Sequence, residues 1–536
     1  MKHRLSIRRS AVQRAAAGLI VLVAIVAVGC APTPPSARAP VPAAPIEPAP
    51  ALVVLLVVDQ LTTGHLERYG DLYTGGLRRV LDTGVRFRDG VHDHAGTYTA
   101  PGHASLSTGV HPARSGIVGN DWRVWRDGRW QNMYSAEDPA SPILGAPDRP
   151  GRSPANLLRG GLADWMLAAD PQARVVSVAG KDRSAILLAG RAPGIVYWYH
   201  DGEHRFVTSS HYLEQDPSWV VDFNESRLPG FVAEPCWRNE LPPAMAARAR
   251  RDPAAAEGGF SSCADGDSTR ALARWLLASP QLDAATFAFA ETAIHEMRLG
   301  QRGSTDFLAV SLSQADRIGH AYGPWSAQQA DNLVRLDREL GGFLDMLDRT
   351  IGRDRYVVAF SSDHGVLPMP EYLQEEDMTG RRVNREMAAA TAEARRQITE
   401  AGGRTPELTT RIAAQFEALD FVEQVLHREA LESTAPADSF TVLYRRSHIP
   451  GRETSRMSEF DFDIRFAPGV LTIARTTTHG SPYLYDRQVP IIFVGSGMRP
   501  AVVDGDARTV DVAPTLARLA GIPAPGDLDG RPLLPR

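Results

Sequence analysis

Five apolar runs, four of them leading toward a charged residue, constrain this chain more than any other feature. They are "ALVVLLVVD" ending at Asp59, "ARVVSVAG" running into Lys181, "DFLAVSLS" running toward Asp316, "RYVVAFSSD" ending at Asp363, and "VPIIFVGSG" near the C-terminus. Each has the length of a strand and is almost continuously apolar, which is the pattern of strands buried on both faces in a parallel sheet. Stretches between them carry helical periodicity, clearest over residues 326–348. The expected fold is therefore α/β, a mostly parallel central sheet flanked by helices, in one domain spanning residues 51–536. Two segments interrupt the alternation and are read as inserted caps: about 200–265, rich in Trp, Pro and Tyr, and about 367–470, with two charged helical stretches.

The first 50 residues stand apart from this body. Lys2, His3, Arg4, Arg8, Arg9 and Arg14 precede an apolar run from Ala15 to Val28 that ends in Gly29-Cys30, the layout of an export signal. The short sequence Ala27-Val28-Gly29-Cys30 resembles a bacterial lipobox. On that reading residues 1–30 are a lipoprotein-type signal, Cys30 is lipidated, and residues 31–50 are a semi-extended Pro/Ala tether. The expected location is the periplasm, on the outer membrane, with a secreted form as the alternative. In an exported chain the two remaining cysteines, Cys236 and Cys263, lack a second pair or a nearby His to complete a zinc set, and a disulfide is the expected use. The net charge of −5 supplies no basic footprint, which argues against polymeric nucleic acid as a partner.

Polar residues collect where open α/β sheets bind ligands, beyond the C-terminal ends of the strands. "VVDQ" gives Asp59, "SQADRIGH" gives Asp316 and His320, "SSDHG" gives Asp363 and His364, and "TTTHGSPY" gives His479. Three carboxylates and three imidazoles make two sets of three ligands, suited to two Zn²⁺ ions with open positions. Any one of fifteen histidines is an ordinary surface or core residue, and an Asp at a strand end is an ordinary cap. What carries the reading is that all three Asp follow buried strands, two of them with a His beside them in sequence.

The segment "TYTAPGHASLSTG" supplies a hydroxyl for such a site. Pro101 fits a first helical turn, so Thr99 stands at a helix N-terminus, either as its N-cap or as a reactive group. A metal alongside would favour its deprotonated form, and Gly102 would allow an anion close to the backbone. Thr97 is the competing hydroxyl, but it lies farther from the helix start.

Seven segments in order, "VVDQ", "TYTAPGHASLSTG", "GIVGNDW", "AGKDRSAILLAG", "SQADRIGHAYGP", "SSDHG" and "HGSPYLYD", resemble the alkaline phosphatase superfamily, most closely its phosphate-irrepressible, PafA-like alkaline phosphatases. The resemblance runs from about residue 52 to the end. It implies that Asp316, His320 and His479 hold one zinc and that Asp59, Asp363 and His364 hold the other beside Thr99. It further implies that Asn120, Lys181 and Arg183 contact the transferred phosphoryl oxygens, where the residues alone read as a turn Asn and two solvated cations.

The implied activity is hydrolysis of phosphate monoesters through a covalent phosphothreonine at Thr99. By formal charge two zinc ions, three carboxylates and an alkoxide cancel, leaving Lys181 and Arg183 to match a dianionic monoester. The nucleotide pyrophosphatase/phosphodiesterase branch of the superfamily lacks such a cation pair and stands as the alternative, followed by a non-catalytic surface lipoprotein. Sulfatases resemble a Cys/Ser-x-Pro-x-Arg pattern, whereas this chain has Thr99 and His103 in those places.

Overall fold

The computed structural model describes residues 49–241, 249, 261–454, 456–495 and 497–534. The export signal, Cys30 and most of the tether lie outside the described residues. The central sheet has nine strands: β1 Leu52–Val58, β2 Val85–Val91, β3 Val175–Ala179, β4 Ile195–His200, β5 Arg205–Val207, β6 Asp306–Leu312, β7 Tyr356–Ser361, β8 Ile491–Gly495 and β9 Ala501–Arg508. Their order across the sheet is β9-β2-β8-β7-β1-β6-β3-β4-β5.

Strand β1 shows why the apolar runs are continuous. Leu52, Val54, Leu56 and Val58 enter one core, while Val53, Leu55 and Val57 enter the other. A period of two with both faces covered leaves no place for a polar side chain until the strand ends. Helices α1 Gly76–Thr83, α5 Gln281–Glu296, α6 Gln314–Tyr322 and α7 Ala327–Thr350 cover the first face. Helices α2 Thr99–Thr108, α3 Leu162–Ala169, α4 Asp182–Ala189 and α10 Val512–Ala520 cover the second. Along α7, Leu333, Leu336, Leu340, Phe343 and Leu347 recur on one buried stripe, which is the periodicity visible in the sequence.

Within the described residues, β2, β3, β4, β6, β7 and β9 run parallel to β1, and β5 and β8 run against it. The run "VPIIFVGSG", grouped by its composition with the parallel strands, is thus an antiparallel member. Burial on both faces demanded its apolar composition, whereas direction is set by the connections. A further core lies within 383–470, where α8 Asn384–Glu400 and α9 Pro406–Glu417 contribute Met387, Ala394, Ile412 and Phe416 against Phe460, Phe462 and Ile464. Cys236 and Cys263 form a disulfide between two paired three-residue strands.

The end of β2 is tied to the C-terminal segment by buried charge. His111 bridges Asp93 (2.9 Å) and Asp529 (3.0 Å), and Arg446 and Arg508 also reach Asp93, at 3.0 and 3.4 Å. Burial pushes the Asp93 carboxyl up, but His111, Arg446 and Arg508 outweigh it and hold the group at about 2, below its ordinary 3.8. Burial likewise opposes the charge on His111, and the two carboxylates overcome it, raising the imidazole above 6.5. Asp93 therefore contributes stability that is complete above pH 3.8 and is lost as pH falls toward 2. His111 contributes stability that is complete below pH 6.5 and is lost as pH rises through its raised value. Urea unfolding should show stability declining at both ends, and His111→Ala should flatten the neutral-to-alkaline limb and make the acid limb shallower. An unchanged alkaline slope in that variant would remove His111 as its source.

Candidate active site

Sheet order places the chemistry. Strands β7, β1, β6 and β3 are consecutive neighbours, so the residues just past their C-terminal ends, Asp363, Asp59, Asp316 and Lys181, arrive side by side. Asp59 and Asp363 are fully buried and Asp316 nearly so. Lys181 reaches across them, its Nζ donating to Asp59 Oδ2 at 2.5 Å and to Asp316 Oδ2 at 2.7 Å. Gln60 holds the other pair: its N–H donates to Asp363 Oδ1 (3.1 Å) and its Nε2 to Asp316 Oδ1 (2.7 Å). This needs a left-handed backbone at Gln60, with φ of 68°.

One ammonium does not neutralise three buried carboxylates. Burial, then the neighbouring Asp363, drives the Asp59 carboxyl well above its ordinary range, and Lys181 only partly offsets this. Asp316 and Asp363 are also opposed by burial, yet nearby cations and imidazoles win: Lys181, His320 and His479 for Asp316, His364 and His103 for Asp363, and both are held well down. Among the buried atoms left without a hydrogen-bond partner are Asp59 Oδ1, Asp363 Oδ2 and His364 Nε2. They face one another, His364 Nε2 standing 3.5 Å from each carboxylate oxygen. Orphaned acceptors converging in a buried, net negative space fit a cation.

The imidazoles are oriented for the same purpose. His320, His364 and His479 each direct Nδ1 to a backbone carbonyl, of Thr477 (3.2 Å), Gly365 (2.9 Å) and Thr97 (2.8 Å) respectively. Donation there fixes the tautomer and turns the Nε2 lone pair inward, as metal-ligating histidines require. His320 Nε2 lies 3.1 Å and His479 Nε2 3.7 Å from Asp316 Oδ1. The His364 and His479 rings stack at 3.6 Å, and burial pushes both below the usual imidazole range, keeping them neutral. Two donor groups result, Asp316-His320-His479 and Asp59-Asp316-His364, with Asp363 adjoining the second through His364.

Thr99 is buried as the first residue of α2, where Tyr98 occupies the N-cap position. The N-cap reading of Thr99 is thus corrected: its hydroxyl makes no cap, and Arg183 Nη2 approaches its Oγ1 at 3.5 Å. The helix start is capped instead by Asn120, whose Oδ1 accepts the Ala100 N–H at 2.8 Å. Thr97 is committed elsewhere, donating from Oγ1 to Ser481 O (3.0 Å) and accepting from His479. Gly102 also has a packing role, because a Cβ there would overlap the carbonyl oxygen of Asp363. The glycine lets α2 pack directly on the backbone of a site residue.

Lys181 and Arg183 do not share one extended segment. Lys181 is the extended residue ahead of α4 and Arg183 lies in its first turn, so the two diverge, one to the carboxylates and one to Thr99. Two further participants are Gln60 and His103. His103 stands one turn beyond Thr99, donates to Thr99 O (2.8 Å), lies 3.3 Å from Asp363 Oδ2 and meets Ser311 Oγ at 2.8 Å. Spacing of four from Thr99 was the signal for it.

Residues 53–477 match the type I phosphodiesterase / nucleotide pyrophosphatase family. The chain belongs to this family. Alkaline phosphatase PhoV of Synechococcus elongatus is 30% identical over 519 residues, covering 90% of this chain and 92% of that one. Alkaline phosphatase PhoK of a Sphingomonas species is 32% identical over 516 residues, 90% of each chain. Within the family, the crystal structure of alkaline phosphatase PafA superposes with a TM-score of 0.80 at 28% identity, covering 90% of this chain and 98% of that one. A second PafA structure carries a Thr-to-Ser change together with Ala in place of one Asn, one Lys and one Arg.

Metal binding to the two donor groups should stabilise the fold. Restoring a divalent metal to stripped protein at about a hundred times its Kd should add about 2.7 kcal/mol per site, read as a rise in melting temperature. His364→Ala and His479→Ala should each lose most of one increment and its bound metal. Undiminished metal content in both variants would exclude these imidazoles as ligands.

Proposed function

We propose that the chain is an exported phosphomonoesterase that works through a covalent phosphothreonine at Thr99 and uses two zinc ions. Its enzyme class is alkaline phosphatase, a phosphoric monoester hydrolase, as the relatives at 30% and 32% identity across nine-tenths of the chain and the PafA fold support. The observation that carries the site reading is the convergence of partnerless Asp59 Oδ1, Asp363 Oδ2 and His364 Nε2 beside the helix that begins at Thr99. Asp316, His320 and His479 would hold one ion and Asp59, Asp363 and His364 the other. When bound, such ions lower the pKa of hydroxyl and water oxygens and stabilise charge on a leaving oxygen.

The protein's own groups then do the following. Thr99 Oγ1 gives up its proton to solvent and forms a bond to phosphorus as the ester P–O bond breaks, and the leaving oxygen takes a proton from water. Water next attacks phosphorus from the side opposite Thr99 and releases inorganic phosphate, regenerating the hydroxyl. The N-terminus of α2 presents its positive end to the anion, and Arg183 donates beside Thr99. Asn120 and Lys181 complete the contacts to the phosphoryl oxygens. The four residue types changed in the second PafA structure are those of Thr99, Asn120, Lys181 and Arg183, in the same order. A dianionic monoester suits two cations, whereas a diester brings one charge fewer and a second organic group. The family's phosphodiesterase members keep diester hydrolysis as the second reading.

One panel on an aryl phosphate monoester and the matching diester tests both readings. Thr99→Ala should lose at least about a thousandfold in monoester turnover and all phosphoenzyme, while Thr97→Ala keeps the phosphoenzyme. Lys181→Ala with Arg183→Ala should lower monoester kcat/KM by about ten- to a hundredfold per residue, and diester kcat/KM by less. A wild type preferring the diester would reverse the assignment.

For location, the proposal is a periplasmic lipoprotein on the outer membrane, supported by the basic segment, apolar run and Cys30. Fatty-acid labelling should disappear in Cys30→Ser and protein should leave the membrane fraction; persistent labelling would sink the lipoprotein reading.

A further inference from the structure

The ribbon formed by strands Asp121–Arg126 and Arg129–Tyr134 begins and ends at the site. Its register sets Asp121 opposite Tyr134, and the Ser135 N–H donates to Asn120 O at 2.9 Å, so Asn120 and Tyr134 leave the same end of the ribbon. Asn120 caps the helix that carries Thr99. Tyr134 turns to the other side of the site: its hydroxyl donates to Asp182 Oδ1 at 2.5 Å and accepts from Arg183 Nη1 at 3.2 Å. The second oxygen of Asp182 accepts from Arg152 Nε at 2.6 Å, and the Arg152 guanidinium lies 4.7 Å above the Tyr134 ring.

We propose that Tyr134 is a positioning residue that holds the Arg183 guanidinium in the orientation needed to recognise a phosphoryl anion. This rests on the reading of Arg183 as a phosphoryl contact. A guanidinium binds an oxyanion through a planar fork, so its contribution depends on how its plane is set before the anion arrives. Arg183 donates from Nη1 to Tyr134 and reaches Thr99 from Nη2, while its buried Nε has no partner. Among the described residues the tyrosine contact ties this fork to the relay of Arg152 and Asp182, and it does so at one edge, leaving donors for a ligand. The relay is also charge-balanced in part, Asp182 standing between two cations. Burial, and next the Asp182 charge, push the Tyr134 phenol above its ordinary range, so the hydroxyl keeps its proton in alkaline solution.

Tyr134→Phe keeps the ring beneath Arg152 and removes one hydroxyl. The expected result is a fall of about tenfold in kcat/KM for an aryl phosphate monoester, with a similar weakening of inhibition by inorganic phosphate and unchanged metal content. In an Arg183→Ala background the same substitution should change either quantity by less than about twofold, since the hydroxyl then has no guanidinium to orient. An equal loss in both backgrounds would mean that Tyr134 acts without Arg183, and no loss in the wild-type background would mean that the fork needs no such tether; either overturns the proposal. Absence of monoester turnover in the unmodified enzyme would overturn the functional reading instead. Phosphate affinity would still decide the relay, since a value insensitive to Tyr134→Phe removes it.

Discussion

Three carboxylates share one buried space at the centre of this protein, and the rest of the structure is arranged around that repulsion. Asp59, Asp316 and Asp363 cannot be relocated without disturbing the sheet, because each follows a strand locked between two neighbours: β1 lies between β6 and β7, with seven aligned residues on one side and six on the other. A buried carboxylate without compensation costs several kcal/mol or takes up a proton. Here the compensation is layered. Lys181 spans two of the three, Gln60 gives amide donors to two, and His103 stands against Asp363. What remains is a set of buried acceptor atoms without a partner, which defines a cation-binding space by charge and by geometry together.

Orientation of the histidines is enforced from outside that space. Each of the three ring Nδ1 contacts belongs to a backbone carbonyl from a different loop, so the imidazoles are held by three separate chain segments. The loop carrying His479 is pinned through Thr97, whose carbonyl holds the ring and whose hydroxyl holds Ser481. A hydroxyl in that position is fully used. Thr99, two residues on, has no comparable partner on its oxygen beyond Arg183, and this difference separates the two threonines far more clearly than their distances from Pro101.

The parts legible in the sequence were those governed by burial on both faces. Strands β1, β3, β6 and β7 could be read because, apart from Asp306 at the start of β6, their residues are apolar or small, and their polar followers could be read because a strand end is where a polar group first becomes permissible. Strand β2, "VRFRDGV", was missed for the converse reason: it alternates and carries charge, being flanked by β9, whose outer side is open. Direction was illegible for β8, since composition reports burial and not polarity. Gln60 and Tyr134 gave no signal because their roles depend on a left-handed backbone and on a hairpin register, neither of which leaves a periodic trace.

The two cations of "GKDR" illustrate what spacing alone conceals. By formal charge alone, Lys181 and Arg183 are two equivalent charges for one anion. The chain changes from strand to helix between them, and that turn separates their tasks. Lysine, a compact point charge, reaches both Asp59 and Asp316 from a single nitrogen, at 2.5 and 2.7 Å. Arginine, a rigid fork, suits the place beside Thr99, where direction matters and a tyrosine can steady one edge. Exchanging the two would keep the net charge and lose both fits, because the ammonium would have no plane to present and the guanidinium would crowd the carboxylates. Charge matching to a substrate is therefore a property of the site as folded, in which the two cations approach the anion from different elements and are not interchangeable.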